Sequence, residues 1–100
     1  MTVFDERMQL LRARFVAQSL GERSTLEGAL ASRDHETAAR ILHSLAGNAG
    51  MFGFPGLSAA SRELEEALAA EAEGAEMTTR RERVRAELHR LEDALAEVPE

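Results

Sequence analysis

The sequence predicts an all-α protein that folds as an up-and-down bundle of helices. Residues with high helix propensity, chiefly Ala, Leu, Glu and Arg, dominate the 100 residues, and β-branched residues are scarce. Apolar residues recur at spacings of three and four through most of the chain, which is typical of helices that bury one face. The breaks between these stretches are short, so consecutive helices should lie antiparallel. With 44% hydrophobic residues, we expect a single domain over residues 1–100.

Two helical segments are predicted before residue 34. The first has an apolar stripe and ends near Gly21. Its stripe consists of Phe4, Met8, Leu11 and Phe15. A possible capping box, Ser24 with Glu27, opens a short second segment that ends near Arg33 and could join the first. The expected fold is therefore a four-helix bundle with an additional short N-terminal helix.

The next two segments form a predicted hairpin. Asp34 suits the N-cap of the third segment, whose core-facing residues should be Ala38, Ile41, Leu42, Leu45 and Ala49. Gly50, Gly53 and Pro55 then interrupt the pattern, and Pro55 suits the first turn of a fourth helix. That helix extends towards Gly74, with core-facing residues Leu57, Ala60, Leu64, Ala67 and Leu68. The third and fourth helices should pack antiparallel.

The last helix is predicted to begin at a second possible capping box, Thr79 with Glu82. Its apolar stripe has heptad-like spacing and comprises Val84, Leu88, Leu91, Leu95 and Val98. A stripe of about two heptads could form a coiled-coil dimer, but it is better suited to closing the bundle. We therefore expect a monomer, with a coiled-coil dimerisation module as an alternative.

Composition and charge argue against several classes of function. The net charge is -6, and the twelve basic residues, all arginine, are spread along the chain, so nucleic-acid binding is not expected. The absence of Cys excludes disulfides and thiolate metal sites, and with neither Trp nor Tyr a cofactor cleft is not expected. No apolar run approaches the roughly 20 residues of a membrane span. We expect a cytoplasmic protein without a cofactor or metal of its own.

His43 is the most informative residue for function. Helical periodicity places it about 150° from the centre of the core stripe, so it should face solvent. The nearby positions on that side are all small: Ala39, Ala46, Gly47 and Gly50. An interior glycine such as Gly47 costs a helix about 1 kcal/mol relative to alanine. The simplest rationale is that another molecule approaches a sterically open histidine.

A neutral imidazole is nucleophilic, so an accessible His43 could form a covalent N–P bond. A carboxylate hydrogen-bonded to one ring nitrogen would fix the tautomer and leave the other nitrogen free. Glu65 is the candidate, because the hairpin brings the middle of the fourth segment beside His43 and Glu65 lies off the core stripe. His35 and His89 are interpreted as surface residues, since neither has helical metal-ligand spacing to another histidine.

One motif spans the third and fourth segments. It consists of the run His43-Ser44-Leu45-Ala46-Gly47 followed by Gly53, Leu57 and the pair Leu64-Glu65. This motif resembles the signature of histidine-phosphotransfer (HPt) domains of bacterial and plant phosphorelays. The resemblance implies an HPt-like bundle that reversibly carries a phosphoryl group between receiver-domain aspartates. It assigns His43 as the phosphorylation site, Gly47 as the residue that keeps access open, and Glu65 as the residue that orients the imidazole.

The same resemblance implies response-regulator receiver domains and a hybrid histidine kinase as partners. The chain would be a phosphoryl carrier and not an enzyme, with the catalytic Mg²⁺ bound by the partner receiver. A partner would dock on the small-residue face, together with Arg40, Ser44 and Asn48.

The chain departs from the family's pattern at one position. The family commonly has a lysine three residues after the histidine, whereas this chain has Ala46 there and no lysine anywhere. Arg40 and Arg62 are the candidates to compensate, because positive charge near the phosphoryl oxygens assists transfer. The departure leaves an alternative open, a non-phosphorylated HPt-like adaptor that binds a receiver or a histidine kinase.

Overall fold

The computed structural model describes the backbone of residues 2–96 and the side chains of residues 2–94. It contains four helices: α1 (Val3–Ala31), α2 (His35–Ala49), α3 (Pro55–Ala69) and α4 (Gly74–Ala96). Each helix packs against two neighbours, α1 and α3 both lying between α2 and α4. Over this described part the chain forms no strand. The predicted all-α bundle is confirmed.

The two segments predicted before residue 34 form one continuous helix, so the short additional helix is not separate. The buried residues on either side of Gly21 lie on one face of α1: Phe15, Val16, Ser19, Leu26, Ala29 and Leu30. Because this stripe continues in register, its packing outweighs the cost of about 1 kcal/mol for an interior glycine. Glu27 does not form the capping box, and binds Arg85 of α4 instead.

Local signals set the bounds of the central hairpin. The Asp34 side chain accepts a hydrogen bond from the backbone nitrogen of Thr37, which caps α2 as predicted. Pro55 occupies the first turn of α3, also as predicted. The predicted start of the last helix is wrong, because α4 begins at Gly74 and not at Thr79. Met77 packs against the core, and this contact favours extending the helix towards its N-terminus.

The core-facing stripes predicted for α2 and α3 are buried along their whole length. In α4, Val84, Leu88 and Leu91 are buried within the bundle, so they are not free to form a coiled-coil seam. Val98 lies outside the described residues, as does the side chain of Leu95. The periodicity therefore predicts the central core correctly.

The predicted stripe of α1 is only partly buried. Phe15 is in the core, but Phe4 and Leu11 are 69% and 45% exposed. The α2–α3 turn packs on α1 at Phe15, whose ring centre lies 5.3 Å from that of Phe52. Arg12 also donates to the backbone oxygen of Phe52 at 3.1 Å. The first residues of α1 extend past this turn, which explains their exposure.

The ion pair between α1 and α4 should make stability depend on pH. Arg85 makes two hydrogen bonds to Glu27, at 2.8 and 2.7 Å. These bonds hold the pKa of the Glu27 carboxyl below its ordinary value of 4.5, although partial burial opposes the shift. A lowered carboxyl pKa adds stability that is present above the ordinary pKa and is lost as the pH falls through the folded-state pKa.

We therefore expect Glu27→Gln to lower the free energy of unfolding at pH 7 and to have a smaller effect at pH 3. Urea unfolding of both proteins at several pH values measures this difference. Glu66→Gln is the matched control, because Glu66 is exposed and pairs with none of the described residues. An equal effect of Glu27→Gln at both pH values would contradict the pH dependence assigned to the ion pair between Glu27 and Arg85.

Candidate functional site

The α2–α3 hairpin sets the geometry of the candidate site. His43 Nδ1 on α2 lies 3.2 Å from Glu65 Oε2 on α3. Seven residues nearer the turn on each helix, Gly50 faces Ser58, and a Cβ at Gly50 would lie 3.7 Å from Ser58 Oγ. Ser58 Oγ also donates to the backbone oxygen of Ala46 at 2.6 Å. The two helices therefore keep one antiparallel register from the histidine to the turn.

His43 is exposed and oriented. Its side chain is 82% exposed, whereas that of Glu65 is 30% exposed. An ionised carboxylate can only accept hydrogen bonds, so the hydrogen of a neutral imidazole lies on Nδ1 when it binds Glu65. The lone pair is then on Nε2. This tautomer presents a nucleophilic nitrogen to any electrophile that reaches the exposed side of α2.

The surface around His43 is as bare as the helical periodicity predicts. Ala39 and Ala46 are half-buried on the side facing α3, while Gly47 and Gly50 are exposed. A Cβ built at Gly47 would meet nothing within 4 Å. Neither packing nor backbone conformation within the described structure therefore requires glycine at this position.

Polar and basic side chains surround this bare surface. Ser44 and Asn48 are exposed on the side of His43 away from α3, and Asn48 Nδ2 donates to Ser44 Oγ at 3.3 Å. Arg40 lies one turn before His43 on α2, and Arg62 one turn before Glu65 on α3. Both arginines are exposed, and neither forms an ion pair with the part of the chain that the structure describes. The predicted site residues thus lie on one surface of the hairpin.

The other two histidines lie elsewhere. His35 begins α2, at the opposite end of the bundle from the α2–α3 turn, and His89 Nδ1 lies 3.3 Å from Glu92 on the exposed side of α4. No group of three or more His, Cys, Asp or Glu side chains that could hold a metal ion occurs among the described residues. None of the helices, as far as they are described, is long and apolar enough to cross a membrane.

Ser58 is a residue of the site that the sequence pattern did not predict. This residue is buried, and its hydrogen bond to Ala46 joins the two helices beside the site. A serine beside the predicted core residue Leu57 was the available signal, since most buried hydroxyl groups have a hydrogen-bond partner. The partner is a backbone oxygen on another helix, which sequence periodicity alone does not identify.

Comparison with known proteins agrees with this arrangement. The family model described as Hpt domain matches residues 10–98, which include most of α1 and the whole of α2, α3 and α4. No curated protein and no solved structure gives a significant match to the chain. The family match spans the exposed histidine, its carboxylate partner and the helices that hold them. The chain therefore belongs to the Hpt domain family, whose members are phosphotransfer modules of two-component signalling.

Proposed function

We propose that this chain reversibly carries a phosphoryl group on His43 between receiver-domain aspartates of a phosphorelay. The observation that best supports the proposal is an exposed histidine whose Nδ1 is held by the Glu65 carboxylate at 3.2 Å. This contact leaves Nε2 unprotonated and accessible. The family supports a phosphotransfer role in general, and the exposure of His43 and its contact with Glu65 support this residue as the phosphoryl acceptor.

The proposed reaction needs one nucleophile from this chain. The Nε2 lone pair of His43 attacks the phosphorus of the receiver's aspartyl phosphate, and an N–P bond forms. The P–O bond to the aspartate breaks, and the carboxylate leaves with the electron pair. The ring gains positive charge as the bond forms, and the Glu65 carboxylate stabilises that charge through the Nδ1 hydrogen. The reverse reaction returns the phosphoryl group to a receiver.

The receiver would supply the remaining chemistry. In this proposal it binds the Mg²⁺ that neutralises the phosphoryl oxygens, and this chain supplies the histidine and a docking surface. The bare surface with Ser44, Asn48 and Arg40 suits close approach by response-regulator receivers and a hybrid histidine kinase. We propose a monomeric carrier that works in the cytoplasm.

An adaptor function is the second candidate. Ala46 favours it, because no side chain longer than a methyl group extends from α2 at the position where the resemblance leads one to expect a lysine. An adaptor would bind a receiver or a kinase without accepting phosphate. Its docking surface would be the same, so binding alone does not separate the two functions.

Measuring phosphoryl transfer and receiver binding together distinguishes the carrier function from the adaptor function. Phosphorylated receiver domains with Mg²⁺ are mixed with the wild type or with His43→Gln, and the loss of phosphate from the receiver is followed with its gain on the chain. The carrier function predicts a base-stable, acid-labile adduct on the wild type only. Receiver binding by both proteins, with no adduct on either, would establish the adaptor instead.

Replacing the carboxylate should slow transfer without preventing docking. We expect Glu65→Ala to lower the transfer rate at saturating receiver by about tenfold to a hundredfold, which is typical when the partner of a functional histidine is removed. Glu65→Gln should recover part of the rate, because its amide oxygen can still accept the Nδ1 hydrogen. Glu66→Ala is the neighbouring control. Wild-type rates for Glu65→Ala would show that the contact has no role in transfer.

A further inference from the structure

The proposed function creates an electrostatic problem at His43. A phosphoryl group on Nε2 carries about two negative charges, and the Glu65 carboxylate lies on the other side of the same ring, 3.2 Å from Nδ1. Two negative groups on opposite sides of one imidazole ring repel each other, which opposes both transfer and accumulation of the adduct. A nearby cation would relieve the repulsion and stabilise the charge on the transferring group. The chain has no lysine, so a basic side chain that it supplies for this purpose would be an arginine.

Most of the arginines contact other groups or lie away from His43. Six of them pair with carboxylates away from the site: Arg23, Arg80, Arg81, Arg83, Arg85 and Arg90. Arg12 binds the α2–α3 turn, with its guanidinium carbon 4.5 Å from the centre of the Phe54 ring. Arg7 and Arg14 belong to α1, and Arg33 follows its C-terminal end. Only Arg40 and Arg62 share the surface of the hairpin with His43.

The register of the hairpin places Arg62 beside the histidine. His43 faces Glu65, and Gly50 faces Ser58, so Arg62 on α3 is level with Ala46 on α2. Arg62 lies between Ser58 and Glu65 along α3, about one turn from each, and both of those residues contact α2. Arg62 is therefore on the same side of α3. Its offset from the level of His43 is about 4.5 Å along the axis, which a long arginine side chain can span.

The open surface of α2 leaves space for the guanidinium. No atom lies within 4 Å of a Cβ built at Gly47, which is the residue next to Ala46 on the face of His43. Arg62 is exposed and makes no ion pair within the described residues, so no carboxylate there competes for it. Its planar fork of donors suits two phosphoryl oxygens at once.

Arg40 is less well placed. Arg40 lies one turn before His43, towards the start of α2 and its N-cap residue Asp34. The pKa of Asp34 at that end is lowered by hydrogen bonds from Thr37 and, more weakly, by the charge of Arg40. The charge of Arg40 therefore acts on the Asp34 carboxyl at the N-cap of α2.

We infer that Arg62 binds the phosphoryl oxygens during transfer to His43, supplying from α3 the positive charge that α2 lacks at Ala46. This inference rests on the proposed carrier function. It predicts that the position of the charge on the surface matters more than the helix from which it comes.

A charge-exchange experiment tests the inference. Single-turnover transfer from a phosphorylated receiver is measured for the wild type, Arg62→Ala, Arg62→Lys, Arg40→Ala and the double variant Arg62→Ala/Ala46→Lys. Arg14→Ala is the matched control, because Arg14 is exposed on α1. Receiver affinity is measured by calorimetry for each protein. Phosphoramidate, a small phosphoryl donor that needs no docking surface, is used in parallel.

We expect Arg62→Ala to slow transfer by about tenfold with either donor while receiver affinity changes little. Arg62→Lys and the double variant should recover most of the rate, and Arg14→Ala should stay close to the wild type. An unchanged rate in Arg62→Ala, or a larger loss in Arg40→Ala, would overturn the inference while leaving the carrier function intact. A wild type that accepts no phosphate from any donor would overturn both.

Discussion

Replacing Gly47 with glutamine should nearly abolish phosphotransfer and leave the bundle folded. The new side chain would project onto the bare surface beside His43, where the receiver must bring phosphorus within bonding distance of Nε2. A displacement of about 1 Å at a reacting centre can cost about a hundredfold in rate, so we expect at least that loss. The transfer rate at saturating phosphorylated receiver measures it.

We expect Gly47→Gln also to increase the stability of the fold. A Cβ at Gly47 meets nothing within 4 Å, and an interior helical glycine costs about 1 kcal/mol relative to a better helix former. The melting temperature should therefore rise by several degrees, since about 1 kcal/mol corresponds to roughly 4–8 °C in a domain of this size.

Gly21→Gln is the matched control for Gly47→Gln. Gly21 is also exposed within a helix, and a Cβ there also meets nothing within 4 Å. It lies on α1, away from His43. Gly21→Gln should raise stability similarly and leave transfer unchanged. A Gly47→Gln protein that transfers at the wild-type rate would show that the bare surface is not the route of access.

The second large effect concerns the core beneath the site. Leu64 is fully buried, with 0% of its surface exposed, and it directly precedes Glu65. Leu64→Ala should lower the free energy of unfolding by about 2–5 kcal/mol, because it removes buried methyl groups and leaves a cavity. Domains of this size have total stabilities of about 5–15 kcal/mol, so the loss is a large fraction of the whole.

Urea unfolding at pH 7 measures the effect of Leu64→Ala. Leu10→Ala provides the same chemical change at a residue that is 66% exposed, and it should alter stability by less than about 0.5 kcal/mol. Similar losses for the two variants would contradict the packing described for α3.

Local sequence signals were sufficient to predict the helix bounds and the buried faces of the central hairpin. Asp34 and Pro55 act within one turn of the helix ends that they mark, and the apolar stripes of α2 and α3 have the period of the buried face. The faces of His43 and Glu65 follow from that same period. The short turn makes the two helices antiparallel neighbours, which brings His43 and Glu65 to the same part of the hairpin.

The failures occurred where contacts distant in sequence decide the structure. The residues around Gly21 favour a helix end there, but the buried stripe of α1 continues past Gly21 and packs as one surface against the other helices. Phe4 and Leu11 have the right spacing for burial, yet α1 extends past the turn that covers Phe15. The Ser58–Ala46 hydrogen bond and the level of Arg62 depend on the register between helices, which periodicity within one helix does not determine.

The most direct test of the central claim is to locate the phosphate on the protein. The wild type and His43→Gln are each incubated with Mg²⁺ and a panel of phosphorylated receiver domains, and their intact masses are measured under non-acidic conditions, followed by fragmentation of any adduct. We predict one added phosphoryl group on the wild type, on the fragment that contains His43, and none on the variant. No adduct on a folded wild type, or the same adduct on His43→Gln, would contradict the account.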